Sequence, residues 1–288
     1  MTRRLTASEI FPAGVAGIEV RFVRLATGIT VRVAESGQAD GVPLILLHGW
    51  GASLYMWRHA FQLLPPLGIR PIAVDLRGFG LSDRPTARGA YTLDAYCADV
   101  DALYDTLGVA RAAVAGHSMG GALALRYALR RPERVERLAL INPVGLERLA
   151  YPAIARAIPR AVTAAIGKRI VSRSLIEQVL RRLVYRDPSA PTERDVDEYW
   201  APTQLPHFVH AADESLRTFD WRPLTTAEAG SLAVPTLVLL GDDDRLIRNT
   251  RAAASRLAGA EVHELAGGHA VHEERPGDAY ALLGAFVR

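Results

Sequence analysis

At 288 residues the chain is long enough to bury a large core as one α/β domain carrying an insertion. Its 49% apolar and 23% charged residues are those of an ordinary globular protein, and 34 Lys and Arg against 31 Asp and Glu, a net charge of +3, make no nucleic-acid surface. A single cysteine excludes an internal disulfide, and no segment has the apolar length of a membrane span or the form of a signal peptide, so a cytoplasmic location is expected.

Along the chain, residues 18–23 and 30–33, separated by Ala26-Thr27-Gly28, predict an antiparallel hairpin. Strand-like runs at 43–47, 71–75, 112–115 and 137–141 then alternate with helical patterns at 55–64, 93–107 and 118–130. Such alternation builds a mostly parallel sheet with helices on both faces, and short apolar runs suit strands buried on two sides. From about Leu146 to about Ser231 no strand pattern appears, and helical segments are broken by Pro152, Pro159, Pro188, Pro191, Pro202 and Pro206. Alternation resumes at 235–240 and 261–265 and ends in a helix near 277–287. The expected architecture is an α/β core of residues 1–145 and 232–288. A helical cap, 146–231, is inserted over the carboxyl edge of the sheet, where open α/β sheets bind ligands. Cys97, inside a predicted helix, reads as a buried inert thiol. No histidine or cysteine pair has metal-ligand spacing with a carboxylate partner, so neither metal nor other cofactor is expected.

Residues 116–121 read Gly-His-Ser-Met-Gly-Gly, between an apolar strand-like run and a helical pattern. A serine on such a turn, with glycine two places before and two after, is lifted clear of the sheet beside the first N–H groups of a helix. Ser118 is therefore the candidate nucleophile. A serine hydroxyl needs an imidazole to accept its proton during attack and return it to the leaving group. Among the eight histidines, His269 alone lies in the short loop after the last predicted strand, behind two glycines; His272, three residues on, is read as shaping the pocket wall or capping the next helix. Any of Asp242, Asp243 and Asp244 could supply the carboxylate that fixes the imidazole tautomer.

Four ordered segments resemble the α/β-hydrolase superfamily: His48-Gly49-Trp50-Gly51, Asp75-Leu76-Arg77-Gly78-Phe79-Gly80-Leu81-Ser82-Asp83, the serine turn, and Gly241-Asp242-Asp243-Asp244 with Gly267-Gly268-His269 after it. The resemblance covers about residues 18–145 and 233–287. It implies the order nucleophile, acid, histidine, and it places the acid three residues after the glycine, at Asp244, leaving Asp242 and Asp243 to cap the turn through Asx hydrogen bonds. The oxyanion of the tetrahedral intermediate should meet the backbone N–H of Met119 and, from the loop after the strand at 43–47, that of Trp50. The Trp50 ring either lines the acyl pocket or packs under the cap. His48 is read as supporting its loop by hydrogen bonding, His117 as supporting the nucleophile, and both as bordering the substrate pocket. Asp75, Arg77 and Asp83 read as loop-fixing ion pairs.

The superfamily hosts several chemistries, so fold cannot name the substrate. Members resembling haloalkane dehalogenases and epoxide hydrolases use a carboxylate at the elbow, where this chain has Ser118. Carbon–carbon hydrolases of ring-cleavage products share the Ser, Asp and His set, and residues 141–146 look like their junction into the cap. They commonly carry a small residue after His-Gly, asparagine before the nucleophile and tryptophan after the catalytic histidine; here those positions are Trp50, His117 and Ala270. A carboxylesterase acting on a small-molecule ester with a small or medium acyl or aryl group is the expected function, with carbon–carbon hydrolysis as the alternative. A non-catalytic binder on this fold would have no need of an ordered carboxylate behind the histidine.

Residues 148–186 carry nine cations, Arg148, Arg156, Arg160, Lys168, Arg169, Arg173, Arg181, Arg182 and Arg186, against one anion, Glu177, while 187–228 hold nine anions and three cations. The first half reads as basic amphipathic helices. Either the two halves neutralise each other over the surface, or the first attracts anionic acyl substrates or a membrane surface without stable insertion. A monomer or homodimer is expected.

Overall fold

A computed structural model describes residues 4–247 and 251–288, and at positions 164, 166 and 168–170 the backbone alone. Eight strands form one sheet: β1 (Glu19–Arg24), β2 (Thr30–Glu35), β3 (Val42–Leu47), β4 (Ile69–Val74), β5 (Ala112–His117), β6 (Val135–Ile141), β7 (Thr236–Gly241) and β8 (Glu261–Leu265). Their spatial order is β1-β2-β4-β3-β5-β6-β7-β8. The opening hairpin is antiparallel, β2 meets β4 antiparallel, and every later pairing is parallel. All eight expected strands are present.

The pleat divides the core in two. Ile45 and Leu47 of β3, with Val114, Leu138, Leu140, Val238 and Leu240, face one helical layer; Leu44 and Leu46, with Ala113, Ala115, Ala139, Leu237 and Leu239, face the other. Strands buried on both faces have no polar positions to alternate, so they read as continuous apolar runs. The helices of the core are α1 (Ala60–Leu63), α2 (Leu93–Leu107) and α3 (Met119–Arg130). Thr92 caps α2 by accepting from the Ala95 N–H, and Gly108 ends it in the left-handed region.

The single helix expected at 55–64 is instead a 3₁₀ turn, Leu54–Trp57, followed by the one-turn α1. The buried Asp75 carboxylate accepts the Leu54 N–H at 2.7 Å, Ser53 caps the turn, and Pro65 and Pro66, which lack N–H donors, end α1 and leave only a 3₁₀ turn at Pro65–Leu67.

Between β6 and β7 the described residues contain helices and no strand: α4 (Tyr151–Ala157), α5 (Arg160–Ile170), α6 (Arg173–Val179), a π-helical turn at Leu180–Val184, α7 (Glu193–Trp200), α8 (Phe208–Thr218) and α9 (Thr226–Gly230). After β7 come α10 (Arg251–Ala254), α11 (Val271–Glu274) and α12 (Pro276–Val287). The charge halves meet in part: Arg160 pairs with Glu214, Arg173 with Asp197 and Glu193, and Arg181 with Glu193. The side chains of Ile166, Lys168, Arg169 and Ile170 lie outside the described set.

Buried pairs fix the loops at the carboxyl edge. Arg32 Nε donates to Asp75 Oδ2 at 2.7 Å with both side chains out of solvent, and the same carboxylate accepts the Leu81 N–H. Arg77 is bidentate on Asp99 at 2.5 Å. Asp83 accepts the Thr30 N–H at 2.7 Å.

Candidate active site

Ser118 sits between β5 and α3 with φ +54° and ψ −117°, a conformation few non-glycine residues adopt. The turn closes only because its neighbours lack side chains. A Cβ at Gly116 would lie 2.2 Å from the Gly120 carbonyl oxygen, and one at Gly120 would lie 2.2 Å from the Leu47 carbonyl oxygen and 2.5 Å from that of His48. The second contact brings the loop after β3 against the start of α3. The Ser118 N–H is committed to Ile141 O at 3.1 Å, whereas among the described hydrogen bonds the N–H groups of Trp50 and Met119 have no protein acceptor.

His269 and Asp244, 25 positions apart, meet at the carboxyl edge. His269 Nδ1 contacts Asp244 Oδ2 at 2.7 Å, and the acceptor-only carboxylate sets that nitrogen as N–H. The other oxygen, Oδ1, accepts the N–H groups of Leu246 and Ile247 at 2.9 and 2.8 Å, so the acid is held from both sides. Of the three aspartates, only Asp244 reaches the imidazole. Asp242 and Asp243 were expected to make Asx bonds, but Asp242 pairs with Arg186 at 2.6 Å and accepts the Gly267 N–H, and Asp243 pairs with Arg245 at 2.5 Å. The local turn bonds are made by Asp244 itself.

The neighbouring histidines separate by environment. His117 lines the cavity beside Ser118 and donates from Nε2 to His269 O at 2.8 Å. Burial, with the His269 and His272 rings beside it, holds it well below the usual imidazole range. His48, expected at the pocket wall, is wholly buried and outside the cavity lining. It accepts the Leu76 N–H at Nε2 (2.9 Å) and donates from Nδ1 to Gly49 O (2.7 Å), and burial lowers its pKa. His272 neither lines the cavity nor caps α11. It is packed between Trp57 and His117, ring centroids 4.8 and 5.0 Å away, because the first turn of α11 points it into the core.

Ser118, His117, His269 and Trp50 open into one cavity of about 450 Å³. Its far walls come from the segment between β6 and β7, including Leu175, Val179, Leu180, Phe208 and Trp221. No Lys or Arg is among its described lining residues. The Trp50 ring takes both expected places: it lines the cavity, and its Nε1 donates to Ser215 Oγ at 3.0 Å and Ala212 O at 3.2 Å on α8.

Two contributors escape sequence reasoning. Asn142, at the end of β6 with φ +40°, bonds both the Gly241 and the His269 loops. Its only sequence signal is an asparagine, tolerant of positive φ, just past a strand. Glu273 is buried against Arg58, Tyr185 and Tyr199, and Arg58 also pairs with Asp195 of α7 at 2.9 Å. Burial raises the Glu273 carboxyl above the usual range, opposed by the Arg58 guanidinium and the Tyr199 hydroxyl. Nothing local marks that glutamate.

The sequence profile described as alpha/beta hydrolase fold matches residues 42–276. Some curated relatives are matched over less than half of their length. Others align almost end to end. Magnesium-chelatase 30 kDa subunit of Rhodobacter capsulatus is 34% identical, over 84% of this chain and 85% of its own. 2-hydroxymuconate semialdehyde hydrolase of Pseudomonas sp. is 29% identical (91% and 92%), and Epoxide hydrolase A of Mycobacterium tuberculosis 28% identical (90% and 94%). Among solved structures, the enol-lactonase from Burkholderia xenovorans superposes with a TM-score of 0.76 at 25% identity, over 92% of this chain and 99% of that one. With the profile spanning most of the sequence and an eight-stranded, mostly parallel sheet beneath it, the chain belongs to the α/β-hydrolase fold family.

Proposed function

We propose that the protein is a serine hydrolase of neutral carboxylic esters with small to medium acyl or aryl groups, built as a core of residues 1–145 and 232–288 under a cap of 146–231. The observation that carries this reading is His269, held by Asp244 at 2.7 Å, lining one cavity with a serine on a strained elbow. Ser118 Oγ attacks the ester carbonyl carbon while His269 Nε2 takes its proton. The tetrahedral oxyanion is held by the N–H groups of Met119 and Trp50, each such donor worth about 3 kcal/mol in related chemistry. The imidazolium, braced at Nδ1 by Asp244, returns the proton to the departing alcohol, and water repeats the sequence on the acyl-enzyme to release the acid.

Two observations support the ester over the relatives' other chemistries. The elbow carries a hydroxyl and not the carboxylate that the epoxide-hydrolase resemblance would bring. A substrate bearing its own carboxylate would be buried without a lining cation, which costs several kcal/mol. An enol lactone is an internal ester, so the solved neighbour supports the same bond type.

The test is a panel of aryl esters of graded acyl length beside a vinylogous diketone, run on wild type and Ser118→Ala. Ester turnover abolished by Ser118→Ala is expected. Faster turnover of the diketone would replace the ester reading with carbon–carbon hydrolysis, and stoichiometric binding without turnover would replace both.

A further inference from the structure

Among the described residues, five of the large apolar side chains left exposed belong to the cap: Tyr151, Ile154, Ile158, Val162 and Leu183. Tyr151 and Leu183 also line the catalytic cavity, as does the exposed Trp50, so they stand at its mouth. From Tyr151 the apolar surface runs outward: Ile154 is one turn further along α4, Ile158 lies at the corner before α5, and Val162 is in the first turn of α5. The two sides of the mouth are joined, because the Tyr151 hydroxyl donates to Leu246 O and Arg245 Nη1 to Arg182 O, next to Leu183. Exposed apolar patches of this continuity mark interaction sites.

Its charge identifies the partner. Arg160, Arg173, Arg181 and Arg186 are paired with carboxylates. Arg148, Arg156 and Arg182 are exposed and have no carboxylate partner among the described residues. Each borders the stripe: Arg148 is three residues before Tyr151, Arg156 falls between Ile154 and Ile158, and Arg182 adjoins Leu183. Apolar side chains flanked by arginines match the boundary of an anionic lipid layer, where the chains enter the acyl edge and the guanidiniums meet headgroups. The cavity behind is apolar and lacks a cation to hold a charged substrate.

We propose that this face of the cap docks reversibly on an anionic lipid surface and turns the cavity mouth toward esters dissolved in it. The docking stands on the patch alone; only the lipid-borne ester rests on the function proposed above.

Cosedimentation of the whole chain with vesicles of phosphatidylcholine plus phosphatidylglycerol, against phosphatidylcholine alone, tests it. Binding to the anionic vesicles is expected, weakened by salt and lowered roughly tenfold in Ile154→Glu/Ile158→Glu, with hydrolysis of a short soluble ester unchanged. Ser118→Ala should bind vesicles as wild type does, so loss of catalysis and loss of docking are read separately. Arg148→Gln/Arg182→Gln, which keeps the apolar stripe, should also bind less. Failure to bind anionic vesicles, binding insensitive to both double variants, or a dimer abolished by Ile154→Glu/Ile158→Glu would each overturn the proposal, the last by making a second copy the occupant.

Discussion

Asn142 holds the main chain of His269: its amide Nδ2 donates to the His269 carbonyl at 2.8 Å and to the Gly268 carbonyl at 3.0 Å, while its Oδ1 accepts the Gly241 N–H at 3.0 Å. One side chain thus sets the spacing between the loop that carries Asp244 and the loop that carries His269. His117 adds a second donor to the same His269 carbonyl. Asn142→Ala should lower kcat roughly 10- to 100-fold with KM within about twofold, because a small displacement of a reacting group is felt in the transition state. Steady-state kinetics beside thermal unfolding check this; a lowered Tm with kcat intact would confine Asn142 to a structural part.

Asp244→Asn should cost about 10³- to 10⁴-fold in kcat, since an amide no longer fixes Nδ1 as the protonated nitrogen, while leaving the Leu246 and Ile247 N–H bonds in place. The double variant with His269→Ala should be little worse than His269→Ala alone, because the pair acts as a unit. Additive losses would mean that Asp244 acts elsewhere.

Trp50 joins the loop after β3 to α8, with 40% of its surface still exposed. Trp50→Phe and Ser215→Ala should each raise KM for bulky esters several-fold. Together they should show a coupling of about 1 kcal/mol in a double-mutant cycle, the worth of one shared hydrogen bond.

Three rings, His48, His117 and His272, are buried with pKa values lowered chiefly by desolvation. As pH falls below about 6.5 the unfolded chain protonates these imidazoles and the native state does not, so unfolding takes up protons and stability drops. Each ring contributes up to about 1.4 kcal/mol per pH unit in that window and nothing above it. The raised Glu198 and Glu273 carboxyls act in the opposite sense, taking up protons in the native state above the pH at which the unfolded chain does. Tm is therefore expected to be level between about pH 7 and 8 and to decline below about 6.5, less steeply in His272→Phe. A Tm unchanged down to the carboxylate range would contradict this.

The helical segment between β6 and β7 is tied to the His269 loop through Arg58, which pairs both with Glu273 and with Asp195 on α7. Arg58→Met leaves two buried carboxylates without their cation and should destabilise by about 3–5 kcal/mol, whereas Arg58→Met with Glu273→Gln should recover part of it. Denaturant unfolding of the three chains measures the difference.

The strands and the serine elbow were legible because their signals are local. A strand buried on both faces is a short apolar run, and a turn in which a Cβ at Gly116 would lie 2.2 Å from the Gly120 carbonyl oxygen, and one at Gly120 2.2 Å from that of Leu47, tolerates no side chain at either position. The stretch after Ser53 misled because its helical pattern is genuine, while the structure divides it into a 3₁₀ turn and a one-turn helix ahead of Pro65 and Pro66. His48 supports its loop by hydrogen bonding as expected, but neither it nor His272 reaches the cavity lining, because a histidine's neighbours in sequence do not tell whether its ring faces a cavity or the core.

By itself the sequence indicated the order of the strands, the helical segment between β6 and β7, and the serine turn and histidine loop that the fold brings to one cavity, all of which follow from side-chain period and steric exclusion within a few residues. Only the tertiary structure shows Asp244, the acid the resemblance implied, against the imidazole, Asn142 spanning both loops, and the Trp50 ring lining the cavity while bonded to α8. Those contacts join residues 25 to 165 positions apart, and their directions are set by how β6, β7 and the cap pack, which no local pattern encodes.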